Sequence, residues 1–252
     1  MSERRAFGGK TIYGARVGIL MMDTQMARVP GDIGNALTWP FPVLYKIVRG
    51  ATHQTVIVEK AVNIVEDYVV AANELVREGA DGITTSCGYL SVIQEELRTR
   101  CSVPVGASSL MQVPFIQTLL PPGKRVGIIT ETASLLTPEH LEGAGAPPDT
   151  PVIGIEGGKE FARNFVENRP EFNLATAEQD LLEGGEEMVN RYPEVGAVVL
   201  ECTNMVPFSR ALSEHIQLPI FDIYTFICWF HSGLVPRDFG WPGSANRIYR
   251  ER

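Results

Sequence analysis

Short apolar runs recur along the chain, each bounded by glycine or a polar residue, and amphipathic stretches of helical period lie between them. VGILMM (17–22) is entered from Gly14 and left through Asp23, the pattern of a strand buried on both faces. From Ala61 to Gly79 the apolar positions Val62, Val65, Val69, Ala72, Leu75 and Val76 follow helical spacing, and Gly79 supplies a C-terminal stop. DGITTSC then predicts a strand, SVIQEELRTR a helix and VPVGAS another strand. The second half repeats the plan. Strands are predicted at RVGIIT (125–130), PVIGIEG (151–157), VGAVVLEC (195–202) and LPIFDIYT (218–225), with the clearest helix over 175–191. Alternation of this kind implies parallel strands joined by right-handed crossovers.

The halves also match each other. Laying DGITTSCGYLSVIQEELRTRCSVPV over GAVVLECTNMVPFSRALSEHIQLPI without a gap pairs Cys87 with Cys202, Leu97 with Leu212 and Pro104 with Pro219. The offset is constant, since 202 − 87, 212 − 97 and 219 − 104 all equal 115. The fold class expected is therefore α/β, with two pseudo-symmetric doubly wound parallel-sheet halves and a site in the cleft between them. Residues 14–116 plus 222–252 form the first half and 117–221 the second.

Composition narrows the class of ligand. The formal net charge of −8 and the lack of a long Lys/Arg cluster argue against a nucleic-acid groove and for a small-molecule site. The four cysteines include no C-x-x-C pair and the four histidines sit at no zinc spacing from them, so neither metal nor cofactor is expected. No apolar run approaches membrane-spanning length, and the first sixteen residues lack the apolar core of a signal peptide. A cytoplasmic protein with reduced thiols is expected, and a homodimer is the common form for a soluble oligomer.

In open α/β sheets ligands bind beyond the carboxyl ends of strands. Cys87 and Cys202 both stand there, and a pseudo-twofold would place their thiols on one cleft. Cys101 and Cys228 have no matching partner and are read as packing residues; His231 is read as structural. Two thiols across a cleft suit proton transfer at a carbon next to a carboxylate, one as base and one as acid. Strand-end hydroxyls at Thr85, Ser86, Thr130, Thr132 and Thr203 are candidate donors. The aromatic-rich segment 31–52 is long for a loop, and Trp39, Phe41 or Tyr45 is expected to wall or cover the cleft.

TTSCGYL, LECTNMVPF and the VGILMMDT opening, together with the repeated halves, resemble the cofactor-independent aspartate/glutamate/hydantoin racemase superfamily over roughly residues 16–225. The resemblance implies Cys87 and Cys202 as the acid and base. It implies that Asp23 and Thr24 match the acidic/hydroxyl pair of the glutamate racemases; with the strand-end residues Ser86, Thr130, Thr132 and Thr203 and the cysteine neighbours Gly88 and Asn204, they are the expected substrate contacts. The activity it implies is racemisation or epimerisation of a small carboxylate-bearing substrate, foremost an amino acid such as aspartate or glutamate. Hydantoin racemase, maleate isomerase, arylmalonate-decarboxylase-like chemistry and a non-catalytic small-acid binding protein are the alternatives. The chain departs from the amino-acid racemases at Cys87-Gly88-Tyr89, where they commonly carry Cys-Asn-Thr, and at Asn204, where they carry His or Glu.

Overall fold

The structure, a computed structural model, describes residues 8–239. The sequence expectations for residues 1–7 and 240–252 lie outside that range. Eight strands form two four-stranded sheets, and every pairing is parallel. The first holds β1 (Val17–Met22), β2 (Val43–Val48), β3 (Gly82–Thr85) and β4 (Val105–Gly106) in the order β2-β1-β3-β4. The second holds β5 (Arg125–Thr130), β6 (Val152–Gly154), β7 (Val195–Leu200) and β8 (Ile220–Phe221) in the order β6-β5-β7-β8. The same permutation in both halves matches the sequence repeat. β8 follows β4 at the offset of 115 found for the cysteines, since 220 − 105 and 221 − 106 both equal 115.

The helices are α1 (Val65–Glu78), α2 (Gln94–Arg100), α3 (Val113–Leu119), α4 (Pro138–Gly143), α5 (Phe161–Glu167), α6 (Leu174–Arg191), α7 (Ser209–Ile216) and α8 (Ile223–Leu234). They cover the sheet faces, so the strands read as near-continuous apolar runs: Val17, Ile19 and Leu20 of β1 are fully buried. Each such side chain contributes about 1.5–3 kcal/mol by leaving water. Among the described residues no helix is long and apolar enough to cross a membrane.

Several predicted boundaries move, for local reasons. α1 starts at Val65, because Lys60 and Ala61 take left-handed backbone at φ 52° and 55° and hold the preceding turn out of the helix. Gly79 ends it as expected, its N–H donating to the Leu75 and Val76 carbonyls. The helix expected from Ser91 is preceded by a 3-10 segment over Gly88–Ile93 and becomes α-helical only at Gln94. The strand expected over 218–225 ends at Phe221. The Asp222 carboxylate accepts from Thr225 N at 2.9 Å and Asp222 N donates to Thr225 Oγ1 at 3.0 Å, a capping box that starts α8.

α8 returns to the first sheet, where Ile223, Phe226 and Ile227 pack with Val17, Ile19 and Met21. The glycine of β3 permits that approach: a Cβ at Gly82 would lie 2.7 Å from atoms of Phe230 and Leu234. The 31–52 segment contains a strand that the sequence reading missed. β2 pairs with β1 in register from Val17↔Val43 to Met22↔Val48. It is an edge strand, only half covered, so Lys46 within it obscured the apolar pattern. Trp39, Phe41 and Tyr45 do not cover the cleft. Trp39 Nε1 donates to Tyr45 Oη at 3.0 Å, Tyr45 Oη donates to the Ile33 carbonyl at 2.9 Å, and Trp39 and Phe41 stack on Tyr224 and His231 of α8.

Candidate active site

Four strand ends converge on one pocket. The chain leaving β1 contributes Met22, Thr24, Met26 and Arg28; the chain leaving β3 contributes Ser86, Cys87 and Tyr89. β5 leads into Glu131, and β7 into Glu201, Cys202 and Asn204, while His53, Ile57 and Phe165 complete the lining. Both cysteines singled out by the repeat therefore share one pocket.

Cys87 is the residue before the 3-10 turn at 88–93, with extended backbone (φ −151°, ψ 124°). The backbone N–H groups of Tyr89 and Leu90 favour its thiolate, but burial comes first and, with the Glu201 and Glu131 charges, pushes the thiol well above its ordinary value. Cys202 keeps some solvent contact, yet its sulfur is enclosed closely enough that burial again dominates. The Glu201 charge adds to that upward shift, and the backbone N–H of Asn204 opposes it. The Cys202 Sγ–H points at Asn204 Oδ1 at 3.6 Å. Asn204 Nδ2 donates to Asp32, and Arg28 holds Asp32 at 3.1 Å and Thr24 Oγ1 at 2.7 Å. A chain of contacts thus runs from the second thiol to a guanidinium on the pocket wall.

Two buried carboxyls escaped the sequence reading. Glu201 is fully buried; burial pushes its acid up to about 8, against the hydrogen bond that Thr130 Oγ1 donates to Oε2 at 2.8 Å. Its other oxygen, Oε1, has no hydrogen-bond partner. Glu131 is 1% exposed, accepts from Thr132 Oγ1 at 3.0 Å, and lies 3.4 Å from His53 Nε2, near enough for an ion pair but not aligned as a hydrogen bond. The signal was present in VVLEC and IITET, where a carboxylate directly follows an apolar run buried on both faces.

The other expected contacts fall into two groups. Thr24, Ser86 and Asn204 line the pocket. Several others serve the walls. The Thr130 hydroxyl is committed to Glu201, that of Thr132 to Glu131 and that of Thr203 to the Ser86 carbonyl at 2.7 Å, while Thr85 Oγ1 donates to the Ala107 carbonyl at 2.6 Å. Asp23 is not among the lining residues and pairs with Arg49 Nη1 at 3.3 Å. Gly88 matters for what it lacks: a Cβ there would fall deep inside the contact radius of the Glu201 carbonyl and Oε1, and 2.9 Å from its Cδ.

No protein-family model matches the chain. Among solved structures it is similar to an allantoin racemase from Klebsiella pneumoniae (TM-score 0.63, 16% identity, 88% of each chain). It is also similar to a glutamate racemase from Bacillus anthracis (TM-score 0.60, 14% identity, 87% of this chain and 81% of that one). An arylmalonate decarboxylase gives a TM-score of 0.58 at 14% identity over 87% and 92% of the two chains. These structures and the present chain share one fold, two parallel α/β halves. Curated relatives point to a different reaction. A dimethylsulfoniopropionate lyase of Durusdinium sp. clade D is 25% identical over 245 residues, 93% of this chain and 81% of that protein. Dimethylsulfoniopropionate lyase 3 of Emiliania huxleyi is 24% identical over 220 residues, 83% of this chain and 57% of its own length. These matches support an enzyme but overturn the expectation of an amino-acid racemase.

Proposed function

We propose that the protein is a lyase that cleaves dimethylsulfoniopropionate, or a close sulfonio-carboxylate, into acrylate and dimethyl sulfide. The similarity to the two lyases over most of the chain carries this reading, and the pocket chemistry supports it. A thiolate removes a proton from the carbon next to the carboxylate, the C–C double bond forms, and the C–S bond breaks with its electron pair passing to sulfur. Charges balance: thiolate and zwitterion become thiol, acrylate anion and neutral sulfide. Elimination needs one base and a good leaving group. Two thiols on opposite roles, the requirement of racemisation, are not needed.

Cys87 is assigned as the base, because two backbone N–H groups favour its thiolate where Cys202 has one. Cys202 and Asn204 border the reacting carbon, and Arg28 receives the carboxylate through donors not committed to Thr24 and Asp32. The raised thiols also make chemical sense. In the empty pocket they stay protonated, and the sulfonium cation of an arriving substrate favours the thiolate, tying activation of the base to the charge of the leaving group. The purified protein is expected to release dimethyl sulfide into the headspace from dimethylsulfoniopropionate and none from 3-(methylthio)propanoate, whose neutral sulfur cannot leave as a neutral thioether. Absence of the gas from the sulfonium compound would remove the proposal.

A further inference from the structure

Resting on the lyase reading, we infer that the buried carboxyls of Glu131 and Glu201 form a subsite for the permanently cationic end of the substrate, selecting fully alkylated onium zwitterions over carboxylates of equal shape whose other end is uncharged. Glu201 is fully buried on the pocket wall; the backbone N–H groups of Tyr89 and Glu131 lie near enough to favour its carboxylate, but none is aligned as a hydrogen bond to Oε1. A buried carboxyl oxygen left in that state costs free energy unless something in the pocket uses it. The missing side chain at Gly88 is what lets this carboxyl lie beside the residue following Cys87. Glu131 stands on the same pocket with one hydroxyl donor and an imidazole at 3.4 Å, and its charge is felt at Cys87, Cys202 and Glu201.

Met22, Met26 and Phe165 supply apolar lining, with the ring of Tyr89 nearby. Methyl groups on a sulfonium or quaternary ammonium cannot donate conventional hydrogen bonds, so they suit soft apolar and aromatic walls with negative charge behind them. A primary ammonium would instead demand three well-placed acceptors.

The test is calorimetric titration of the full chain with two compounds of nearly the same shape, 3-(trimethylammonio)propanoate and 4,4-dimethylpentanoate. The ammonio compound has a poor leaving group and reports binding alone. It is expected to bind at least tenfold more tightly than its carbon isostere. Glu131→Gln and Glu201→Gln each shrink that ratio, and the double variant brings it close to one while leaving the affinity for 4,4-dimethylpentanoate within about threefold. Equal affinities in the unsubstituted protein, binding of neither compound, or a ratio that survives the double substitution would overturn the subsite. Dimethyl sulfide release is scored separately. Onium preference without release removes the lyase reading and keeps the subsite; release without preference does the reverse.

Discussion

Replacing Cys87 by alanine is expected to lower the rate of dimethyl sulfide release at least a thousandfold, and replacing Cys202 by alanine at least a hundredfold. General-base catalysis is worth about 10²–10⁴-fold, and a methyl group cannot hold the proton. The difference between the two follows from their proposed roles: Cys87 as the base beside the backbone N–H groups of Tyr89 and Leu90, and Cys202 as a neighbour whose Sγ–H points at Asn204. Stability should hardly change, because each thiol is a small side chain and its loss leaves only a small void. Circular dichroism and the melting midpoint separate lost chemistry from lost fold. Burial raises both thiols, so the base form is scarce at neutral pH. The wild-type kcat/KM should therefore climb with pH from about 6 to 8, approaching tenfold per unit while the thiol remains mostly protonated. Equal loss from Cys101→Ala, outside the pocket lining, would undercut the assignment.

Gly88→Ala is expected to be the most damaging single-methyl change in the site. The new Cβ would press on the Glu201 backbone carbonyl, on Oε1 and on Cδ. Backbone lies at one end of that clash, so rotating a flexible side chain cannot relieve it. The turn that carries Cys87 must then move away from the strand end that carries Cys202. Overpacking of this kind costs about 1–3 kcal/mol of stability, and a shift of the base by an ångström costs on the order of a hundredfold in rate. Both a lowered midpoint and at least a hundredfold loss of turnover should appear together. Ala at Gly157, an exposed position without positive φ where a Cβ meets nothing within 4 Å, controls for the loss of a surface glycine. A Gly88→Ala protein with unaltered turnover would mean that the Glu201 carboxyl does not fix the turn.

What the sequence made legible follows from repetition and periodicity. The constant offset of 115 paired the two cysteines, because a duplicated unit keeps its spacing through strand, turn and helix, and the matching strand orders are what such a duplication produces. β2 was missed because an edge strand in which Lys46 reaches Glu74 of α1 and Ile47 faces solvent lacks the continuous apolar run of a central strand. The lid assigned to Trp39, Phe41 and Tyr45 failed for a related reason: aromatic content does not say which neighbour is covered, and α8 was hidden at the end of an assumed strand.

At the site, hydroxyls were easier to name than to place. Thr130, Thr132 and Thr203 were read as substrate donors, yet each spends its hydroxyl on the protein itself. The departures from the racemase pattern held more information than the matches. Gly88 after the first cysteine and Glu201 before the second are one feature seen from two sides, since the absent side chain makes room for the carboxyl. That coupling joins residues 113 positions apart (201 − 88), so no local pattern contains it. The reaction itself was not legible either, because a fold shared by racemases and a decarboxylase leaves the leaving group undefined.

The most direct measurement is a proton NMR time course of the purified protein in D2O, with dimethylsulfoniopropionate, L-aspartate and L-glutamate together in one tube. The account predicts acrylate vinyl signals and dimethyl sulfide growing in a one-to-one ratio while the Cα signals of both amino acids keep their full intensity. Unchanged dimethylsulfoniopropionate beside Cα signals that fade as deuterium enters would contradict it.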